Sequence, residues 1–166
     1  MLKWIWISIV TIILDQLSKG VAVANLDEGI PQAVIPHLNW TLAYNYGAAF
    51  SFLGDQGGWQ RWFFVALSFL VSAYIIYWLR KLDKNERGTA IALALVLGGA
   101  FGNGIDRLIS GRVTDFIDFY VDLDLFFLNN GHFAIFNIAD IAITLGAILL
   151  VIISFFPERN PETESR

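Results

Sequence analysis

The sequence predicts an all-α membrane protein, four transmembrane helices with a small sheet outside the bilayer. Three observations point there. The 166 residues are 56% hydrophobic and only 16% charged, with mean hydropathy +0.58, whereas soluble domains hold about 45–50% apolar residues and about 25% charge. Four runs are long enough to cross a bilayer, which takes about 20 mostly apolar residues. Between the first two runs, "HLNWTLAYNYGAAFSFL" alternates Trp40, Leu42, Tyr44 and Tyr46 against Thr41, Ala43 and Asn45. A period of two marks a strand.

The first span covers about 4–24 and holds Asp15 and Lys19. Its Lys3, apolar run and Ala22-Val23-Ala24 also resemble a cleavable signal peptide with an A-x-A site; the run is read instead as an uncleaved span. After the strand, "GDQGGW" reads as a turn. The second span, 62–79, is uncharged between Arg61 and Arg80. The loop "RKLDKNERG" holds Arg80, Lys81, Lys84 and Arg87, while residues 25–60 hold no Lys or Arg. The positive-inside rule makes the basic loop cytoplasmic, with both termini on that side. The third span, 89–107, ends in "GGAFGNGIDRL". The outward segment "VTDFIDFYVDLDLFF" alternates Val121, Leu123 and Leu125 against Asp122 and Asp124, so two outward strands are expected to pair on the membrane surface. The fourth span, 137–156, carries one charge, Asp140. One integral-membrane domain, 1–157, is expected, with a disordered cytoplasmic tail, 158–166.

Composition excludes several functions. There is no cysteine, hence no disulfide or thiolate chemistry. Net charge is −4 with no basic run suited to nucleic acid. His37 and His132 are the only histidines, so neither a His-ligated metal site nor a Ser–His–Asp triad has its parts.

With this topology the polar groups fall at one depth. Asp15 lies roughly 18 Å along its helix, in the outer half, and Lys19 shares its face. Asn103, Asp106 and Arg107 end the third span, Asp115 follows it, and Asn137 and Asp140 begin the fourth. Each has a plainer reading. Asp15 and Lys19 suit a structural ion pair, Gly98 and Gly102 helix packing, and Arg107 an interfacial anchor. Asp118, Asp122 and Asp124 suit solvated or edge-strand charges, and Asp140 a helix cap. None explains why carboxylates, carboxamides and an Arg share one depth. Paired carboxylates supply a chemistry. Two close Asp side chains share one proton, so one takes a proton from water while the other hydrogen-bonds the scissile carbonyl.

Five motifs carry a family resemblance: "DQLSK" (15–19), "NYGAAFS" (45–51), "GGAFGNGIDRL" (98–108), "VTDFIDF" (113–119) and "FNIAD" (136–140). In that order they resemble the lipoprotein signal peptidases, or signal peptidase II, of bacteria. The resemblance spans nearly the whole chain. It implies four helices with a small extracytoplasmic β-cradle and a short periplasmic helix over the site. The implied activity is an aspartyl endopeptidase cutting before a diacylglyceryl-modified cysteine of prolipoproteins, with no metal or cofactor. The implied catalytic residues are Asp115 and Asp140, supported by Asp15, Lys19, Asn45, Asn103, Asp106, Arg107 and Asn137. Gly47 is read as letting the substrate backbone come close. Implied partners are the prolipoprotein, membrane lipid and globomycin-type peptide inhibitors, at the outer leaflet of the cytoplasmic (inner) membrane. Two departures stand out. Gly104 replaces a bulkier apolar residue, which is expected to loosen the end of the third span, and the segment between Asp115 and Asp140 is longer than usual. The alternative is a small proton- or ion-coupled transporter, whose acids would run along a path rather than cluster.

Overall fold

A computed structural model describes residues 1–47, 58–121 and 132–156. A single 3-10 turn, Leu2–Trp4, leads into α1 (Ile5–Asn25). Then follow β1 (Gln32–Ile35), β2 (Leu38–Asn45), α2 (Trp59–Lys81), α3 (Arg87–Ser110), β3 (Val113–Phe119) and α4 (Ile138–Phe155). Among the described residues, four helices are long and apolar enough to cross a membrane. Phe50, Gly54, Asp122, Asp124 and residues 158–166 lie outside the described residues. No described residues form the short helix over the site that the resemblance implies.

The helices are inside-out compared with a soluble bundle. Leu17, Leu70, Leu145 and Phe155 are exposed, while Asp15, Lys19, Asn103, Asp106 and Asn137 are buried. In hydrocarbon an exposed Leu costs nothing, and polar groups must find partners inside the bundle.

α3 packs against α1, α2 and α4, and small residues make that possible. A methyl on Gly98 would sit 2.7 Å from Thr11 Cβ, and one on Gly146 2.6 Å from the Ala92 carbonyl. One on Gly99 would collide with the Ala139 carbonyl, and one on Gly102 with Asp15 Oδ2 at 2.6 Å. Without a hydrophobic force between helices in lipid, such close backbone packing holds them together. It also seats Asp15 directly against α3. Gly104 sits in the last turns of α3. The helix runs unbroken to Ser110, and Gly104 lies close to Ser68 of α2.

The three strands form one antiparallel sheet in the order β1-β2-β3. β2 is the strand the alternation marks, but its register shifts between Trp40 and Ala43, where three residue steps on β2 match two on β3. That bulge breaks the simple alternation: Trp40 is exposed and Leu42 is buried. Within the described residues of the second outward segment, the strand is Val113–Phe119. It brings Asp115 onto the sheet beside Ala43.

Candidate active site

The site forms where α1, α3, β3 and the start of α4 meet. α4 begins with a capping box: the Asp140 N–H donates to Asn137 Oδ1 at 3.0 Å, and the Asn137 N–H donates to Asp140 Oδ2 at 3.2 Å. Two orphan helix N–H groups are thereby satisfied. The box leaves the Asn137 amide nitrogen free to reach outward. It donates to Asp115 Oδ1 at 2.6 Å, to Asn103 Oδ1 at 3.2 Å and to the Thr114 carbonyl at 3.3 Å. Asn103 Nδ2 in turn donates to Asp140 Oδ1 at 2.8 Å. A carboxamide chain, Asn137 then Asn103, therefore links the two carboxylates.

Below this chain lies a buried charge cluster. Lys19 Nζ donates to Asp15 Oδ2 at 2.8 Å and to Asn103 Oδ1 at 2.9 Å, and pairs with Asp106 Oδ2 at 2.8 Å. Asp15 Oδ1 accepts the Ala139 N–H at 2.9 Å, fixing the first turn of α4 to α1. Asp106 Oδ2 accepts the Thr114 N–H at 3.2 Å, fixing β3 to α3. One lysine thus serves two carboxylates, each of which anchors one of the segments carrying Asp115 and Asp140.

Arg107 is only partly exposed and is held by specific contacts rather than free at the interface. Its guanidinium donates to the Gly47 carbonyl at 2.7 Å and lies 4.9 Å from the centre of the Phe64 ring. Gly47 is itself buried, and its N–H donates to Asn45 Oδ1 at 3.0 Å. Asn45 also hydrogen-bonds Asp115.

Asp115 and Asp140 face one cleft of about 590 Å³, lined also by Asn45, Asn103, Arg107 and an apolar wall from Phe133 to Phe136. The cleft continues along Ile141, Ile143 and Leu145 of α4. Burial, and then the nearby Asp140 charge, push the Asp115 carboxyl up to about 7, against the opposing hydrogen bonds from Asn137 and Asn45. A buried carboxylate, Asp115, and a half-buried one, Asp140, facing one cleft are equipped to share a proton and activate water. Among the described residues no group of His, Cys, Asp or Glu is arranged to hold a metal.

The structure brings all ten sequence-predicted site residues into this neighbourhood. Asp118, read from sequence as a solvated or edge-strand charge, does lie on the edge strand β3 but is buried, with Thr41, Asn39 and His132 around it. Burial acts to raise its carboxyl, and hydrogen bonds from those three outweigh that and leave it below the ordinary range. Sequence reasoning passed over two contributors. Gln16 donates to Asp106 Oδ1 at 2.8 Å and to the Gly102 carbonyl at 3.2 Å; its signal was adjacency to Asp15. Arg61 donates to the carbonyls of Arg107 and Leu108, satisfying the end of α3.

The family model described as signal peptidase (SPase) II matches residues 7–156. A lipoprotein signal peptidase of Hydrogenovibrio crunogenus is 50% identical over 160 residues, covering 96% of this chain and 89% of that protein. One from Acinetobacter baumannii is 51% identical, covering 96% and 86%. One from Pseudomonas aeruginosa is 48% identical, covering 97% and 92%. A bacterial membrane enzyme solved by the in meso method at 2.3 Å resolution superposes with TM-score 0.81 at 32% identity, covering 97% of this chain and 92% of that one.

Proposed function

Since the chain belongs to the signal peptidase II family, we propose that it removes the signal peptide of bacterial prolipoproteins by aspartyl chemistry at Asp115 and Asp140. The cut falls N-terminal to the diacylglyceryl-modified cysteine. One observation carries this reading. Two carboxylates from separate elements face one cleft, joined through Asn137 and Asn103.

The ionised carboxylate of the pair takes a proton from water, whose oxygen adds to the scissile carbonyl carbon. The protonated carboxyl gives its proton to the carbonyl oxygen. As the tetrahedral species collapses, one of its hydroxyls returns a proton to the carboxylate that had protonated the carbonyl oxygen, C=O re-forms, the C–N bond breaks, and the proton first taken from water passes to the departing amine. The dyad ends with the one proton it began with.

The chain is a multi-pass bacterial membrane protein. We place it in the cytoplasmic (inner) membrane as a single domain over 1–157, with both termini inside and sheet and site at the outer leaflet. The basic loop of Arg80, Lys81, Lys84 and Arg87 supports it. A lipid-tethered cysteine stays in the outer leaflet, so its substrate enters sideways from lipid. The cleft's run along α4, to the 53%-exposed Leu145, supports that route. Globomycin-type peptides would occupy the same cleft, and no cofactor is needed. The transporter alternative is not favoured, because the acids gather around one cleft rather than along a path. Cleavage of a purified diacylglyceryl prolipoprotein by the purified protein tests the reading, and absence of cleavage overturns it.

A further inference from the structure

Asp118 lies three residues beyond Asp115 on β3 and so on the opposite face, since strand side chains alternate. It is 3% exposed. Its Oδ2 accepts from Thr41 Oγ1 at 2.8 Å and from Asn39 Nδ2 at 3.3 Å, and its Oδ1 lies 2.7 Å from His132 Nδ1. Burying a carboxylate is expensive unless it is satisfied in this way. The chemistry proposed for the dyad makes no use of it.

His132 begins the strip 132–136, which runs antiparallel along the free edge of β3. Tyr120 bridges to His132, and Ile117 to Phe136. Three residue steps on β3 oppose four on the strip, so the strip bulges by one residue, as strands beside active sites often do. Its backbone bonds sit near its two ends. Phe133 donates to the Phe119 carbonyl at 2.9 Å, and Phe136 exchanges bonds with Ile117 at 3.1 and 2.8 Å. The residues between, Ala134 and Ile135, line the cleft that holds Asp115 and Asp140, together with Phe133 and Phe136. The Phe136 end is held next to the Asn137 cap. The other end is held by the Asp118–His132 pair, with the His132 ring stacked on Tyr120 at 5.2 Å.

We propose that Asp118 and His132 are positioning residues for substrate: their pair fixes the outer end of the strip, so that Phe133 to Ile135 form the apolar wall against which the substrate peptide lies. Neither touches the reacting atoms. The proposal rests on the peptidase reading, but it predicts a different kinetic signature from loss of the dyad. The pair acts on binding, so its loss raises KM and spares kcat.

Two substitutions at His132 separate donor from ring. His132→Phe keeps an aromatic ring for Tyr120 and removes the N–H. His132→Asn keeps an amide donor near the Nδ1 position and removes the ring. With diacylglyceryl prolipoprotein as substrate, H132F should raise KM on the order of tenfold, the scale of one hydrogen bond to a charged group. Its kcat should stay within about twofold, and H132N should keep KM within about threefold of wild type. H132N should melt with wild type, and H132F should stay folded but melt somewhat lower, since buried Asp118 then keeps only Thr41 and Asn39. Unchanged KM in H132F, equal losses in the two variants, a fall in kcat at constant KM, or loss of folded H132F would each overturn the assignment. All four leave the roles of Asp115 and Asp140 untouched.

Discussion

Asn137 Nδ2 lies 2.6 Å from Asp115 Oδ1, tying the strand carboxylate to the residue that caps α4 and positions Asp140. One side chain therefore sets both acids. Asn137→Ala should lower kcat by about 10²-fold, the scale on which small misplacement acts. It should also cost about 0.5–2 kcal/mol of stability through the lost cap. Steady-state kinetics and a thermal melt of the purified variant check the two effects; a stability loss with normal kcat would remove Asn137 from the site.

Lys19 is the sole cation bridging Asp15 and Asp106 among the described ion pairs. Lys19→Ala leaves two buried carboxylates uncompensated, which should destabilise by about 3–5 kcal/mol. A thermal melt in detergent should show a clear drop. A wild-type melt with lost turnover would instead place Lys19 in the reaction.

The pH profile follows from Asp115, pushed up to about 7 from its ordinary 3.8 first by burial and then by Asp140. A raised carboxyl is neutral below about 7 and ionised above it. The proposed chemistry needs one proton on the pair, so kcat/KM should fall as pH rises through about 7, an apparent value that belongs to the coupled dyad. Stability shifts in the same direction. Between 3.8 and about 7 the folded state holds a proton that the unfolded chain releases, so Asp115's contribution is present at low pH and lost across that window. A kcat/KM profile from pH 5 to 9 that is flat or still rising through neutrality would contradict this.

Much of this was legible in the sequence because it is local. Apolar runs mark helices, four residues separate Asp15 from Lys19 on one face, and the topology sets the common depth. What was not legible depends on pairing between distant segments. Asp106 joins Lys19 from another helix at 2.8 Å, and no spacing encodes that. Asp118 looks like one more surface acid until β2 and the 132–136 strip close over it. The bulge in β2 shifts the alternation halfway along the strand. No spacing in the sequence sets Gly104 close to Ser68 of α2, yet the packing of α2 on α3 does.

Lateral entry predicts dependence on lipid. Wild type should cut diacylglyceryl prolipoprotein and leave the unlipidated precursor intact under the same conditions, because only the former is held at the depth of the cleft. Equal cleavage of both, followed by gel mobility or mass, would refute the sideways route and the outer-leaflet placement with it.

The central claim is that Asp115 and Asp140 perform the hydrolysis together. Asp115→Asn and Asp140→Asn, purified in folded form, should each cleave diacylglyceryl prolipoprotein at least about 10²-fold more slowly than wild type, the scale of a lost general acid or base. Asp118→Asn should retain far more kcat than either. Near wild-type cleavage by either dyad variant would contradict the account.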